Sequence, residues 1–581
     1  MKATGVNLKR FWRAMYTGVL LLSYIVLTSC GNPPPTTPEA TATATPKPRP
    51  ITVRITNTNI ERAIARVLRT KQVASSDGNI LALESCSNSQ YISVWSPGFY
   101  IETFQCNGDL KIEYPVTLKP LNAIDNPNYA WIDADIRSNP GLNCATCHSD
   151  AASGLNEYTE WNSDSHSSVF VDPYFWTMYM GTDTIQGSAS PDGPSFRSDY
   201  PAENGRCVFC HAPAALQVLQ QGVDLASWSA QLWRGRTNVE TEGITCDVCH
   251  KVADVLIGED SRPFADRPGV LSFTLLRPSS NALFYFGPWP DHKPGVPEDS
   301  GGIEHFAACS PVFSEGKFCA ACHYGKFFDA VIYNSYGEWL ESDYSKKKID
   351  SAENKDYRSC QDCHMTSSQP VEGSSVVARS ACSQRNHSFR DFSHNMMKRD
   401  NTDNPILIQG AATVVAEAKK EQGKINVKVT VVNTRAGHKL PTDSPLRHLI
   451  LLIEARDKDG KLLAQVEGPT IPEWGGSDDL PGGYAGKPGV IYANILKDKV
   501  TSTVPAIAYW NPTIPAWKGS DTRLDPFVEI RSEYSFVAPS RGEAIVTARL
   551  FYRYAFMEVI RQKGWPLQDI LVNWHYTTVP E

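Results

Sequence analysis

Cys144-Ala-Thr-Cys147-His148, Cys207-Val-Phe-Cys210-His211, Cys246-Asp-Val-Cys249-His250, Cys319-Ala-Ala-Cys322-His323 and Cys360-Gln-Asp-Cys363-His364 repeat one pattern, C-x-x-C-H, five times in a chain of 581 residues. The pattern is the signature of covalent c-type haem attachment. Two thiols separated by two residues add to the two vinyl groups of one porphyrin, and the adjacent imidazole lies under the ring as the proximal iron ligand. With 15 Cys and 13 His scattered at random, roughly 0.01 such matches are expected. The rival reading is zinc, which also takes C-x-x-C pairs. A zinc ribbon needs an even number of pairs and gives no reason for a His directly after each second Cys, so haem is the stronger reading.

Working outward, successive first cysteines are 63, 39, 73 and 41 residues apart, which is no regular repeat. Residues 130–400 are rich in loops and aromatics, with little sustained helical period. They read as a loop-rich/α core filled by porphyrin, with short helices such as Phe327 to Leu340 after some sites. The face of each iron opposite the proximal His decides its chemistry: a second imidazole suits electron transfer, and an open face allows substrate chemistry. Eight histidines lie outside the motifs, namely His166, His292, His305, His387, His394, His438, His448 and His575. Met178, Met180, Met396 and Met397 are alternative ligands, although core packing is the commoner fate of Met.

On both sides the pattern changes to a period of two. Ile51, Val53 and Ile55 alternate with polar residues, as do Ile112, Tyr114, Val116 and Leu118, and Asp77-Gly78 and Pro97-Gly98 are turn signals. Residues 51–122 are thus expected to form a small β-sandwich. Residues 405–581 are expected to form a second, from Ile425, Val427, Val429 and Val431, the run Leu449 to Ala455, and Val546, Ala548, Leu550 and Tyr552. The fold class is therefore multidomain, a multihaem cytochrome c core flanked by two β-sandwiches. Four cysteines remain beside the motifs and Cys30, and an even remainder suggests disulfides in an oxidising compartment. Cys86 and Cys106 share one small domain and are expected to pair; Cys309 with Cys382 is a further possibility.

Residues 1–30 read as an export signal: Lys2, Lys9, Arg10 and Arg13 precede a short apolar run, Val19 to Leu27. That run is short of the about 20 apolar residues of a spanning helix. Residues 31–50 are a tether, with seven prolines and five threonines from 32 to 50. The net charge is −7 and no basic run suggests nucleic acid.

Several stretches carry resemblances. Leu27-Thr28-Ser29-Cys30 resembles a bacterial lipobox, which implies a lipid on Cys30 and an extracytoplasmic chain anchored to a bacterial cell membrane; a simple cleaved signal or an uncleaved anchor is the alternative. Asp77 to Leu118 resembles carboxypeptidase-regulatory-like domains. Trp161 to His166 resembles the W-x-x-S-x-H stretch of multihaem c-type cytochromes, with Asp164 where the Ser would stand. Cys207 to Pro213, Gly243 to His250, Phe286-Gly-Pro288 and Cys360 to Met365 are similar to segments of the same group. So are Ser393-His394-Asn395-Met396, in which Met396-Met397 replaces an aromatic, and Ala436 to Thr442, in which Asp443 replaces a final Gly. The group includes octahaem tetrathionate reductases and the tetrahaem cytochrome partner of hydroxylamine oxidoreductase. The resemblance implies five haem c groups, with His166, His394 and His438 as distal ligands and His305 and His292 as further candidates.

The function expected is electron transfer through mostly bis-His haems, with a membrane oxidoreductase or other cytochromes as redox partners. The alternative is an oxidoreductase with one open haem acting on a small nitrogen or sulfur compound. A third reading is an assembly subunit whose β-domains dock other proteins. No C-x-x-C-K motif is present, which lowers the enzyme reading.

Overall fold

The computed structural model describes residues 49–581 except 61, 69, 71, 108–110, 122–123, 136–142, 150–155, 185–187, 191–193, 204–205, 221–223, 229–237, 280–283, 288–304, 347–356, 366–385, 390–406 and 477–481. Cys30, His292, His394, Cys382, Met396 and Met397 lie outside the described residues.

Strands from residues 51–116 make two sheets. In the first, Ile51–Ile55 lies between Ile80–Leu83, antiparallel, and Glu113–Val116, parallel. The second runs Val73–Ser76, Ala63–Val67, Tyr91–Trp95, Glu102–Gln105, all antiparallel. The inward set Ile51, Val53, Ile55, Ile92, Val94, Tyr114 and Val116 forms one apolar core, as side chains of period two must when one face is covered. Two readings of this region need correction. Asp77-Gly78 does not close a hairpin but carries the chain from the edge of the second sheet to the edge of the first. A bond from the Gly78 amide to Ser76 Oγ (3.2 Å) sets that turn locally, with no ladder across it. Ile112 precedes its strand and is 60% exposed. Cys86 and Cys106 are joined, their Cα atoms 6.2 Å apart, within the usual disulfide span.

From residue 130 to 365 the described elements are short; the longest helix is Pro173–Met180, eight residues capped by Asp172. The helix expected over Phe327 to Leu340 is only Ser335–Glu341. Before it, Gly325–Phe327 and Ala330–Tyr333 pair as a hairpin, because Ala-Val-Ile-Tyr is a β-favouring run and Phe328 turns with φ +53°. No helix among the described residues is long and apolar enough to cross a membrane.

Residues 407–581 build two four-stranded antiparallel sheets. One runs Ala412–Glu421, Lys424–Asn433, Glu529–Val537, Gln465–Glu467; the other runs Gly489–Ala493, His448–Asp457, Ala544–Arg553, Asp569–Val579. Their inner faces share one large core that also takes in Phe170, Trp176, Tyr179 and Phe196 from the motif-bearing region. Polar seams fix that docking. Buried Lys563 donates to the carbonyls of Thr177 (3.0 Å) and Pro194 (2.6 Å), and Trp565 Nε1 donates to Thr177 Oγ1 (2.9 Å). Trp510 Nε1 donates to Asp199 (2.7 Å). Glu338, on the Ser335–Glu341 helix, accepts from Arg523 (2.7 Å), Thr442 Oγ1 (2.6 Å) and the Lys439 amide (3.1 Å). Buried charge of this kind persists where every oxygen is satisfied.

Candidate functional site

Each C-x-x-C-H motif folds as one helical turn: Ala145–His148, Val208–His211, Cys246–Cys249 with His250 following, the end of Lys317–His323, and Cys360–His364. Residues i, i+3 and i+4 share a helix face, so both thiols and the imidazole of a motif address the same side. Burial pushes the Cys207 and Cys249 thiols up to about 12. Among the described residues no three His, Cys, Asp or Glu side chains converge as a metal cluster.

Four of the five motif imidazoles face another imidazole. His148 faces His305 with ring centroids 6.4 Å apart, His250 faces His387 at 6.2 Å, His323 faces His166 at 6.3 Å, and His364 faces His438 at 6.3 Å. A metal–imidazole bond is about 2 Å and the ring centre lies roughly 1 Å beyond its nitrogen, so imidazoles on opposite faces of one ion have centroids roughly 6 Å apart. The four gaps match that span. Three pairs are near parallel, at 24°, 25° and 24°, whereas His166 and His323 cross at 65°.

Five of these Nδ1 atoms are turned to protein acceptors, which leaves Nε2 for a metal. His148 Nδ1 meets Glu157 (3.2 Å) and His250 Nδ1 meets the Phe286 carbonyl (2.5 Å). His323 Nδ1 meets Asp443 (3.4 Å), His166 Nδ1 meets Asp164 (2.7 Å), and His438 Nδ1 meets the Lys439 carbonyl (2.9 Å). The Phe389 carbonyl serves His364. Burial pushes His211, His250 and His364 down to about 4, so these rings stay neutral at neutral pH, the state that coordinates. Burial raises Asp443, but His323, Arg447 and Ser335 outweigh it and hold the carboxyl well below the usual range.

His211 differs. Its ring stacks on Phe175 at 4.6 Å and 28°, and no imidazole among the described residues faces it. Its buried Nδ1 has no well-formed hydrogen bond, with the Val169 carbonyl as the acceptor nearby.

The motifs also touch one another. Neighbouring thiols raise one another's pKa between Cys144 and Cys246, Cys210 and Cys322, and Cys319 and Cys360, and Cys322 raises Cys249. The fourth motif thus adjoins the second, third and fifth.

Several sequence candidates come together here: His166, His305 and His438 each face a motif imidazole, while His292 and His394 lie outside the described residues. Sequence reasoning passed over His387. Its amide and the neighbouring Asn386 side chain bind Glu160, at 2.9 and 3.1 Å, a polar collar that Asn386-His387-Ser388 hints at only once its partner is known. His448 and His575 are structural: His448 is buried against Phe556, and His575 Nδ1 accepts from the Ala416 amide (3.2 Å). Gly243 explains itself, since at φ +73° an added Cβ would lie 2.3 Å from the His166 carbonyl oxygen.

No protein-family model matches the chain, and no curated protein matches it. Among solved structures it is similar to a penta-heme cytochrome c552 from Thermochromatium tepidum, at 20% identity and a TM-score of 0.47, covering 75% of this chain and 97% of that one. It is also matched to the collagen-binding domain of a Staphylococcus aureus adhesin, at 9% identity and a TM-score of 0.10, covering 29% of this chain and 97% of that one.

Proposed function

We propose that the chain is a pentahaem c-type cytochrome, tethered to a bacterial cell membrane on its extracytoplasmic side, that carries single electrons through mostly bis-His haems. The observation that carries this reading is the set of four facing imidazole pairs at 6.2–6.4 Å, each with one member from a C-x-x-C-H motif. On this reading the thioether sulfurs are Cys144, Cys147, Cys207, Cys210, Cys246, Cys249, Cys319, Cys322, Cys360 and Cys363. The proximal ligands are His148, His211, His250, His323 and His364, and the distal ones are His305, His387, His166 and His438. Covalently bound haem supplies the one-electron couple. The protein's residues fix the imidazoles through their Nδ1 partners. Adjacent motifs in mutual contact suit electron passage from haem to haem. Cys30 as the lipid site, and membrane oxidoreductases or other cytochromes as partners, complete the proposal.

The test is intact mass of the matured protein together with low-temperature EPR of its oxidised form. Five haem additions and four low-spin bis-imidazole haems are expected; four or fewer additions at full occupancy would sink the reading.

One observation favours a second reading. His211 has Phe175 beside it and no facing imidazole among the described residues. A haem there with an open face would make the chain an oxidoreductase for a small nitrogen or sulfur compound. A high-spin ferric signal that shifts on adding nitrite, hydroxylamine or sulfite would support it. Five low-spin haems would exclude it.

A further inference from the structure

Two of the places where the chain departs from the cytochrome segments it resembles, Asp164 and Asp443, act on the same imidazole pair. Asp164 caps the turn Ser165–Ser167, accepting from the His166 amide at 2.9 Å, and accepts from the His166 ring at 2.7 Å. Asp443, at φ +61°, faces the His323 ring at 3.4 Å and is anchored by the Ser335 hydroxyl (2.6 Å) and amide (3.2 Å). Both imidazoles of this pair therefore face carboxylates. In the adjoining pair, His438 and His364 face the backbone carbonyls of Lys439 and Phe389. An anionic acceptor binds an N–H more strongly than a neutral carbonyl and makes the imidazole a more basic ligand, which favours ferric over ferrous iron.

We propose that Asp164 and Asp443 are positioning residues that hold the haem of Cys319/Cys322 at a lower potential than the haem of Cys360/Cys363. Electrons therefore pass from the former to the latter. The inference rests on the pentahaem reading. In the step, the first iron goes from ferrous to ferric and the second from ferric to ferrous. One electron moves, no bond breaks and no proton is required. A one-electron donor protein refills the first haem and a one-electron acceptor empties the second. The Cys360 thiol lies 3.9 Å from the Gly316 carbonyl, at the start of the Lys317–His323 helix, so the two motifs adjoin. Because the fourth motif also adjoins the second and third, the two carboxylates bias the point where the chain of haems branches.

The crossing angles label the signals. Rings crossed at 65° give a highly anisotropic low-spin EPR line, while rings at 24° give an ordinary rhombic one. The experiment is an EPR-monitored redox titration of the full-length, five-haem protein, with the Cys360/Cys363 line assigned as the one lost in His438→Ala. The crossed-ring line should titrate at lower potential than that line. Asp164→Asn and Asp443→Asn should each raise the ferrous-to-ferric ratio of the crossed-ring haem about tenfold or more at fixed potential, leaving the other lines in place. Asp164→Asn keeps the helix cap, so it stands even if loss of the Asp443–Ser335 anchor unfolds the second variant. A crossed-ring line that titrates at or above its neighbour, or that ignores Asp164→Asn, overturns the inference and leaves the pentahaem reading intact. Fewer than five haems overturns both.

Discussion

In the C-terminal region the strand Lys424–Asn433 buries Ile425, Val427, Val429 and Val431 at 0–1% exposure against a facing sheet whose Val546, Ala548, Leu550 and Tyr552 are at 0%. In the motif-bearing region each C-x-x-C-H turn buries only one or two side chains, and four of the five imidazoles face a second imidazole at 6.2–6.4 Å. One region is filled by its own residues. The other has only small local apolar clusters, Val252, Val255, Val312 and Ala321 in one, and Ala214, Val239 and Val248 in another; on the pentahaem reading proposed above, haem fills the space between them. On that reading, stability in the first is a property of the chain and in the second a property of the chain with its haems, as when a metal site folds only on loading.

The largest effect expected from this contrast follows from withholding the haems. Chain produced without c-type maturation should keep a protease-resistant core over about 407–581, because its two sheets close on themselves, while residues 144–365 are cut throughout. Limited proteolysis read by mass spectrometry measures this. Equal resistance of both regions would mean that the motif region packs without haem.

Next comes His438→Ala, which removes the one facing imidazole that the C-terminal region supplies. One low-spin haem should become high-spin. The domains should stay docked, because Glu338, Lys563 and Trp510 still join them. An unchanged low-spin spectrum would reduce His438 to a turn residue.

The same contrast explains what could be read from the sequence. Strands announce themselves locally: the alternation at Ile51–Ile55 and Lys424–Asn433 needs no knowledge of the partner. The motifs are local too, since both thiols and the imidazole fall within five residues. Distal ligands are not local. His387 faces His250 from far along the chain, and His305, ranked low from sequence, faces His148, because only the fold decides which imidazoles meet. Lys563 and Trp565, which suggested nothing in sequence, clamp the Pro173–Met180 helix beside His211. A lysine reads as a surface residue until two carbonyls are seen to bury it. The Asp at positions 164 and 443 read as departures from a pattern, and their contacts with His166 and His323 lie beyond what the pattern encodes.

A smaller effect is expected at that clamp. Lys563→Met keeps most of the stem but leaves the carbonyls of Thr177 and Pro194 without their donor, which should cost about 1–3 kcal/mol. The thermal transition of the holoprotein should fall, and the EPR signal of the His211 haem should broaden more than the others. A stable variant with an unaltered signal would show that apolar packing around Phe170 and Trp176 suffices.

The smallest effect belongs to the seam between the N-terminal sheets and the motif region, where Asp125 takes a two-pronged bond from Arg277 at 2.6 and 2.9 Å. Burial raises the Asp125 carboxyl, but Arg277 and the Asn126 amide outweigh it and leave its pKa lowered. A carboxyl whose folded pKa is depressed adds stability above its unfolded pKa, near about 3.9, and loses that stability as pH falls through the folded value. Asp125 is partly open to water, with side-chain exposure of 32%, so solvent screening limits the gain to about 0.5–1 kcal/mol. Asp125→Asn should therefore lower the thermal midpoint slightly at pH 7 and not at pH 3, where wild type has lost most of the same contribution. The two proteins should converge on acidification, with the gap closing below about pH 4. A gap that stays constant with pH would assign the effect to packing against Arg277 rather than to charge. A large gap at pH 7 would mean that the N-terminal sheets depend on this seam to stay folded, contrary to the closed core around Val53 and Ile92.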